Sequence, residues 1–185
     1  MLLNIKEIDI LEAFSSDYSR KVYGRDIAKK LKLNQKTVSN ILAKLEKEDI
    51  LKFSQEGRNK YYFLNKFNPD IKEIIKVIEI SRKIKFLKKN AKLRGLFDNL
   101  EKNSEGVFAV FGSYAKGENT KNSDIDIFSL GKTPEIEKLE KSYNVKINII
   151  RSSKAKFDKN ENIIKEIIKN HIILKGIEEF VDLIW

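Results

Sequence analysis

Two aspartates, Asp124 and Asp126, lie one residue apart in a segment where acidic and apolar residues alternate (DIDIF). A strand with that alternation directs both carboxylates to one face of a sheet. Two carboxylates held side by side repel each other, and a divalent cation between them relieves the repulsion. Because Mg²⁺ is usually bound by one or two carboxylates together with substrate phosphates, the pair predicts a magnesium site.

A turn of small residues, Gly112 and Ser113, follows the apolar run 107–111 (VFAVF) a short way upstream. Such a turn after a buried strand lets the backbone approach a phosphate closely and offers it amide N–H groups. A cation site and a phosphate-binding turn in one short segment together predict a site for a nucleoside triphosphate.

The whole segment follows a recognisable spacing, with residues 112–118 (GSYAKGE) and 123–126 (SDID) separated so that ten residues lie between Ser113 and Asp124. It resembles the signature of the nucleotidyltransferase superfamily related to DNA polymerase β, and in detail its minimal nucleotidyltransferase branch. The resemblance implies an α/β nucleotidyltransferase domain over residues 103–185, with a small mixed sheet flanked by helices.

The same resemblance implies roles for the motif residues. Asp124 and Asp126 are the catalytic residues and hold Mg²⁺, which neutralises the phosphates and orients the α-phosphorus for attack. For Lys116, a solvated position is an equal alternative to a place near the leaving pyrophosphate. The nucleotide-binding residues that the resemblance implies are Gly112, Ser113, Lys116 and Ser123.

One position departs from the family pattern. Active members generally carry a third carboxylate on a following strand, which helps to deprotonate the attacking hydroxyl. The candidate strand here is 144–150 (NVKINII), whose alternation places Asn144, Lys146 and Asn148 on one face. At the expected position stands Asn148, whose amide cannot accept a proton at neutral pH. Nucleotide binding can therefore survive where transfer is lost. Glu118 or Glu140 is the alternative acid that could take the place of the third carboxylate in space.

The first third of the chain predicts a different module. Apolar spacing predicts a helix from Ile5 to Phe14, a second helix begun near Gly24, and a third over 35–47 that Asn34 caps. Two short strands, 50–53 and 60–64, flank a hairpin with Gly57 at its tip. The order resembles a winged helix-turn-helix DNA-binding domain, an α+β fold, over residues 1–67.

In such domains the third of these helices enters the major groove of double-stranded DNA, and the hairpin reaches a phosphate or the minor groove. The outward polar side chains of that helix suit base edges and phosphates. The predicted DNA-binding residues are Gln35, Lys36, Thr37, Ser39, Asn40, Lys44, Arg58 and Lys60.

Charge supports a nucleic-acid partner for this half. Residues 1–90 carry 21 Lys and Arg against 12 Asp and Glu, whereas residues 91–185 carry 16 against 15. The excess is therefore one-sided, which a general abundance of lysine does not explain.

Residues 68–102 predict a linker helix or helices, with Pro69 before the start and a bend near Asn90 or Gly95. Two apolar stripes predict that the helix is covered on more than one side. A homodimer through 70–102 and packing within one chain are equal alternatives. A further helix is predicted over 156–170 with Ile163 facing inward, and His171, the single histidine, is expected at its end.

The absence of cysteine excludes disulfides and thiolate metal sites and agrees with a cytoplasmic location. No apolar run approaches the roughly 20 residues that span a bilayer, so no membrane partner is expected. Two functions remain open: a DNA-binding transcriptional regulator whose second domain binds Mg-nucleotide, or an active enzyme that moves a nucleoside monophosphate to a protein or small-molecule hydroxyl. Related minimal enzymes are antitoxins that adenylylate a toxin partner, so an antitoxin that represses its own operon is a third reading.

Overall fold

The computed structural model describes residues 3–185, which form a mixed α/β structure with two small sheets. The chain divides into two compact units between residues 78 and 79. The boundary falls inside a helix, whereas the sequence predicts domains over 1–67 and 103–185 with a linker between them. Those domain bounds stay a prediction.

The first unit holds helices packed beside a three-stranded antiparallel sheet in which β3 lies between β1 and β2. Its elements are α1 (Ile5–Leu11) with a 3₁₀ turn (Glu12–Phe14), β1 (Val22–Tyr23), α2 (Gly24–Leu31), α3 (Gln35–Lys47), β2 (Leu51–Glu56) and β3 (Asn59–Leu64).

Caps fix where these helices begin. The side chain of Asn4 accepts a hydrogen bond from the backbone N–H of Glu7, and the Glu7 carboxylate accepts one from the Asn4 N–H, which completes a capping box. The side chain of Asn34 accepts from the N–H of Lys36 at the start of α3, as the sequence predicts. The buried residues of α3 are Val38, Leu42 and Leu45.

The β2–β3 hairpin turns at Gly57, which has φ +61°, and its closing pair joins Glu56 to Asn59. Glycine suits this turn because other residues adopt positive φ only at a cost. The predicted helices and hairpin are thus present in the predicted order, with strands longer than predicted. The assignment of a winged-helix DNA-binding domain stays a prediction.

Helix α4 (Ile71–Lys89) is followed by a 3₁₀ turn (Ala91–Leu93) and α5 (Arg94–Lys102), so the predicted bend occurs at Asn90. One predicted stripe of α4 is buried and includes Ile71, Ile75 and Ile78. The other is partly exposed, with Val77, Ile80 and Ile84 at 41%, 47% and 48% exposure. The homodimer through this helix stays a prediction.

The second unit is built on a four-stranded sheet in the order β6-β5-β4-β7. Strand β4 runs antiparallel to both its neighbours, whereas β5 and β6 run parallel. The remaining elements are β4 (Phe108–Phe111), α6 (Gly112–Lys116), β5 (Ile125–Ser129), α7 (Glu137–Tyr143), β6 (Ile147–Arg151), a 3₁₀ turn (Lys154–Lys156), α8 (Asn162–Lys169), β7 (His171–Lys175) and α9 (Ile177–Ile184).

Alternation along these strands gives the sheet an apolar cluster on each face. Ile125 and Ile127 of β5 pack with residues of α5 such as Leu96 and Phe97 on one face. Phe128 packs with residues of α8 and α9, including Ile167, on the other. Both faces of the sheet are therefore covered by apolar clusters.

Two expectations for the C-terminal part are wrong. The predicted helix over 156–170 begins only at Asn162, because residues 154–156 form a separate 3₁₀ turn, and Ile163 is 40% exposed rather than inward. His171 does not end a helix; it begins β7 and is fully buried. Its Nε2 lies 3.3 Å from Glu79, and its ring packs against Phe180 at 4.7 Å.

Within residues 3–185, none of the helices combines the length and the apolar character that crossing a bilayer would require.

Candidate functional site

Asp124 directly precedes β5 and Asp126 is its second residue, so both lie at the end of the sheet where β4 finishes and β5 begins. Asp126 pairs across the sheet with Phe111 of β4 on one side and with Asn148 of β6 on the other. Asp124 is two residues earlier and so shares the face of Asp126. Both carboxylates are partly buried. The alternation read from the sequence therefore places them as predicted, on one face.

Asn148 bridges the two carboxylates. Its Nδ2 donates a hydrogen bond to Asp126 Oδ1 at 3.1 Å and another to Asp124 Oδ2 at 3.3 Å. Lys146, two residues earlier on the same strand, places its Nζ 3.2 Å from Asp124 Oδ2. The side chains of β6 thus supply hydrogen bonds and positive charge to the acidic pair.

Gly112 lies on the other side of the pair, next to Asp126. It follows β4 directly and has φ +67°. A Cβ added to it would lie 2.5 Å from Asp126 Oδ2, closer than real Cβ contacts allow. The position therefore requires glycine twice, for its backbone conformation and for the space that the carboxylate takes. Ser113 follows as the second residue of α6 and is partly exposed.

Two further motif residues have protein partners. Lys116 Nζ lies 2.7 Å from Glu166 Oε1 of α8, and this hydrogen bond raises the pKa of Lys116 and lowers that of Glu166. Ser123 Oγ accepts a hydrogen bond from the backbone N–H of Thr120 at 2.9 Å, which stabilises the loop before β5. Their assignment to a nucleotide stays a prediction.

Among the described residues, no third carboxylate joins the pair. The part of the chain that the structure describes holds no group of three or more His, Cys, Asp or Glu side chains placed to bind a metal ion. Glu140, one predicted substitute, uses its Oε1 to accept a hydrogen bond from the backbone N–H of Ile147 at 2.7 Å. Two carboxylates whose oxygens lie within hydrogen-bond reach of a single amide nitrogen still form a compact set of oxygen ligands, which fits one hard cation.

A large open cleft of about 1230 Å³ lies beside Asp124. Its walls come from the turn after α4, the loop before β5 and the segment between α7 and β6. Basic residues outnumber acidic ones in it, since Asp124 and Glu140 are its acidic residues. The lysines that line it are Lys89, Lys92, Lys121, Lys141 and Lys146.

A comparison with protein families identifies the domain that contains this arrangement. Residues 91–181 match the family model described as nucleotidyltransferase domain. The chain carries a nucleotidyltransferase domain. This domain contains the β4–α6 turn, both aspartates and Asn148, and it implies a nucleoside triphosphate ligand. Nucleotidyltransferase domains generally use divalent metal ions, and carboxylate oxygens such as those of Asp124 and Asp126 are of the type that binds them.

Comparisons with solved structures and with curated proteins add no further functional assignment. A crystal structure of a toxin–antitoxin with AMP-PNP is 20% identical to this chain, covering 56% of this chain and 78% of that one, with a TM-score of 0.35. A likeness of that size carries no argument about partners. No curated protein matches the chain.

The predicted DNA-binding residues lie in the first unit, on α3 and the β2–β3 hairpin. Most are exposed and Thr37 is partly buried. Lys44 donates a hydrogen bond at 2.5 Å to Glu7, which is buried, and lies 3.8 Å from Glu48. Lys60 places its ammonium 3.8 Å from the centre of the Phe53 ring. These two lysines are exposed and also have protein partners, and Lys36 and Arg58 are exposed as well.

Sequence reasoning assigned no site role to Lys146 or to the other lysines of the cleft. The signal for Lys146 was present, because it shares a strand face with Asn148 and so with the acidic pair. The other lysines come from segments far apart in the chain, and no local pattern connects them.

Proposed function

We propose that the nucleotidyltransferase domain binds a Mg-nucleoside triphosphate at Asp124 and Asp126, with transfer activity weak or lost. The observation that carries this proposal is the position of Asn148, whose amide donates to both carboxylates where the family pattern has a third acid. An amide cannot accept a proton at neutral pH, and it adds no negative charge that would bind a second cation. General-base help is worth roughly 10²–10⁴-fold in rate, so its absence slows transfer severely.

In this proposal Asp124 and Asp126 hold the Mg²⁺, which supplies charge neutralisation for the phosphates when bound. The Gly112–Ser113 turn receives the phosphates, since glycine keeps the backbone accessible there. Ser123 shapes the loop that precedes the acidic pair. Lys116 reaches a nucleotide only if its ion pair with Glu166 opens.

The cleft supports a polyanionic ligand. Clefts lined by one sign of charge raise the local concentration of ligands of the opposite sign. Lys121 and Lys141 are exposed on its walls, and both lie in the domain that contains the acidic pair. A triphosphate that enters this cleft meets positive charge before it reaches the carboxylates.

We further propose that the first unit binds double-stranded DNA, which makes the chain a transcriptional regulator with a nucleotide-binding domain. The exposed polar side chains on α3 and the basic excess of residues 1–90 support this. Helix α3 would enter the major groove, and Arg58 at the hairpin tip would reach the backbone.

The alternative is an active enzyme that transfers a nucleoside monophosphate to a hydroxyl, of which an adenylylating antitoxin with a toxin partner is one form. Asp124 and Asp126 would then be the catalytic residues, and in-line attack at the α-phosphorus would release pyrophosphate. This alternative rests on the family resemblance and on no contact specific to this chain.

One labelling experiment separates the two readings. The wild-type protein, Asp124→Asn and Asn148→Asp are incubated with Mg²⁺, α-labelled ATP and cell extract, and transferred label is measured. We expect little or no labelling by the wild type and a clear gain with Asn148→Asp, because the variant restores a proton acceptor beside the pair. Labelling by the wild type that equals that of Asn148→Asp and that Asp124→Asn abolishes would overturn the proposal in favour of the active enzyme.

A further inference from the structure

The carboxylates of Asp124 and Asp126 are engaged unequally on their two sides. On the side of β6, Asn148 Nδ2 donates to Asp124 Oδ2 and Asp126 Oδ1, and Lys146 Nζ lies 3.2 Å from the same Asp124 Oδ2. One oxygen of each carboxylate is therefore already satisfied by the protein. The ion pair of Lys146 is 69% exposed on the lysine side and worth little alone, so Asn148 contributes most to this arrangement.

The other side of the pair is open to the β4–α6 turn. Asp126 Oδ2 faces Gly112, as the 2.5 Å approach of an added Cβ indicates. Across residues 3–185, no side chain donates a hydrogen bond to Asp124 Oδ1 or to Asp126 Oδ2. The oxygens that remain available thus include the one beside the turn that we propose for the phosphates.

Two-metal sites in phosphoryl-transfer enzymes hold their cations about 3.5–4 Å apart, one for the attacking oxygen and one for the leaving oxygen. A second cation needs further negative charge, and β6 offers an amide and an ammonium instead. We propose that Asn148 and Lys146 replace a second cation, so that this centre loads a single divalent cation per bound nucleotide. The inference depends on the proposed nucleotide binding and specifies its metal content.

The single cation has a functional consequence. Asp124 and Asp126 suffice to hold the ion that neutralises the phosphates, which favours binding. The groups on β6 donate hydrogen bonds and accept no proton, so the acceptor hydroxyl meets neither a base nor a second metal from that strand. The centre therefore retains nucleotide and turns it over slowly.

The test counts cations with Mn²⁺ as the probe and a non-hydrolysable ATP analogue as the nucleotide. The full-length protein is held in excess over nucleotide in equilibrium dialysis, and Mn²⁺ and nucleotide are both measured in the protein compartment. We expect one Mn²⁺ per bound nucleotide for the wild type and two for Asn148→Asp. The matched control is Asn160→Asp, which adds the same charge at an exposed residue outside the cleft and outside the contacts of the pair, and should keep the ratio at one.

The outcomes are separable. Two Mn²⁺ per nucleotide in the wild type would overturn the inference and leave nucleotide binding intact, and this count is decisive even if a variant fails to fold. A ratio of two in Asn160→Asp, or of one in folded Asn148→Asp, would show that the contacts of Asn148 do not set the count. If no nucleotide is retained at any Mn²⁺ concentration, both this inference and the proposed function are contradicted.

Discussion

Gly112 is the residue at which the backbone and the acidic pair depend on each other. Its φ of +67° lies in the left-handed region, where a Cβ meets the following carbonyl. An added Cβ would also lie 2.5 Å from Asp126 Oδ2. Since the carboxylate is the end of a side chain, a larger residue would displace Asp126 and move it from its position beside Asn148.

We predict that Gly112→Ala lowers the free energy of unfolding by about 1–2 kcal/mol and weakens binding of a Mg-ATP analogue at least about tenfold. The first effect follows from backbone strain and the second from the displaced Asp126. Gly57→Ala is the matched control, because Gly57 has φ +61° and nothing within 4 Å of its added Cβ. Denaturant unfolding and calorimetry measure the two effects.

We expect Gly57→Ala to lose a similar free energy of unfolding and to keep its nucleotide affinity. That result would show that backbone strain lowers stability, whereas the displacement of Asp126 lowers affinity. Equal nucleotide affinity in wild type and Gly112→Ala would contradict the role given to the β4–α6 turn.

At this scale the sequence predicted the geometry of the acidic pair well. A period of two residues is enough to put Asp124 and Asp126 on one face and Asn148 on the matching face of β6. The partner of Lys116 was not predictable, because Glu166 lies on α8, far along the chain, and which side chains meet there depends on how the helix packs on the sheet.

Among the elements, α1 and α3 are joined by an ion pair that is buried on one side. Glu7 on α1 is 1% exposed in its side chain and accepts a hydrogen bond from Lys44 on α3. Burial alone would raise the pKa of Glu7, but the hydrogen bonds from Lys44 and Asn4 outweigh it and hold the pKa below its ordinary value. The hydrogen bond to Glu7 also raises the pKa of Lys44.

A lowered pKa in the folded state gives the stability of this pair a defined pH dependence. The stabilising effect is fully present above the unfolded pKa, near 4.5, and is lost as pH falls through the lower folded pKa. We predict that Glu7→Gln destabilises the protein at pH about 6.5 and that its deficit relative to wild type shrinks below pH about 4.5. Urea unfolding at a series of pH values measures the deficit, and a deficit that stays constant down to the acid limit would contradict the assignment.

The elements themselves were predicted unevenly. Helix α3 and its cap at Asn34 were readable because the apolar spacing and the capping residue agree. Helix α8 was predicted too long, since residues 154–156 carry helix-forming lysines whose turn is not continued. Helix α7 was not predicted; it is short, and its apolar residues Leu139 and Tyr143 are only partly buried against the core.

For the whole molecule, the distribution of charge separates two kinds of ligand. Most of the net charge of +10 belongs to residues 1–90, whereas four of the five cleft lysines lie in residues 91–185, where the charge is almost balanced. A basic surface binds DNA by releasing counterions, so its affinity falls steeply with salt. A cleft that contains carboxylates as well as lysines instead suits a compact anion with its own cation.

We predict that Lys36→Ala weakens duplex DNA binding and lowers the slope of log affinity against log salt by about 0.9, the value for one lost phosphate contact. The substitution leaves the α3 cap intact, because Asn34 accepts from the backbone N–H of Lys36. Lys138→Ala in the second unit, whose side chain is 87% exposed, removes the same charge and should leave the slope unchanged. Fluorescence anisotropy over a range of salt gives both slopes, and an equal loss in the two variants would contradict binding through α3.

The account depends most on magnesium-dependent nucleotide binding at Asp124 and Asp126. The direct measurement is isothermal titration calorimetry of a non-hydrolysable ATP analogue with Mg²⁺ and with excess chelator, on wild type, Asp124→Asn, Asp126→Asn and the control Glu135→Gln. We predict binding by wild type and Glu135→Gln that requires Mg²⁺, and its loss in both aspartate variants. Equal heats in all four proteins, or binding that the chelator leaves unchanged, would contradict the account.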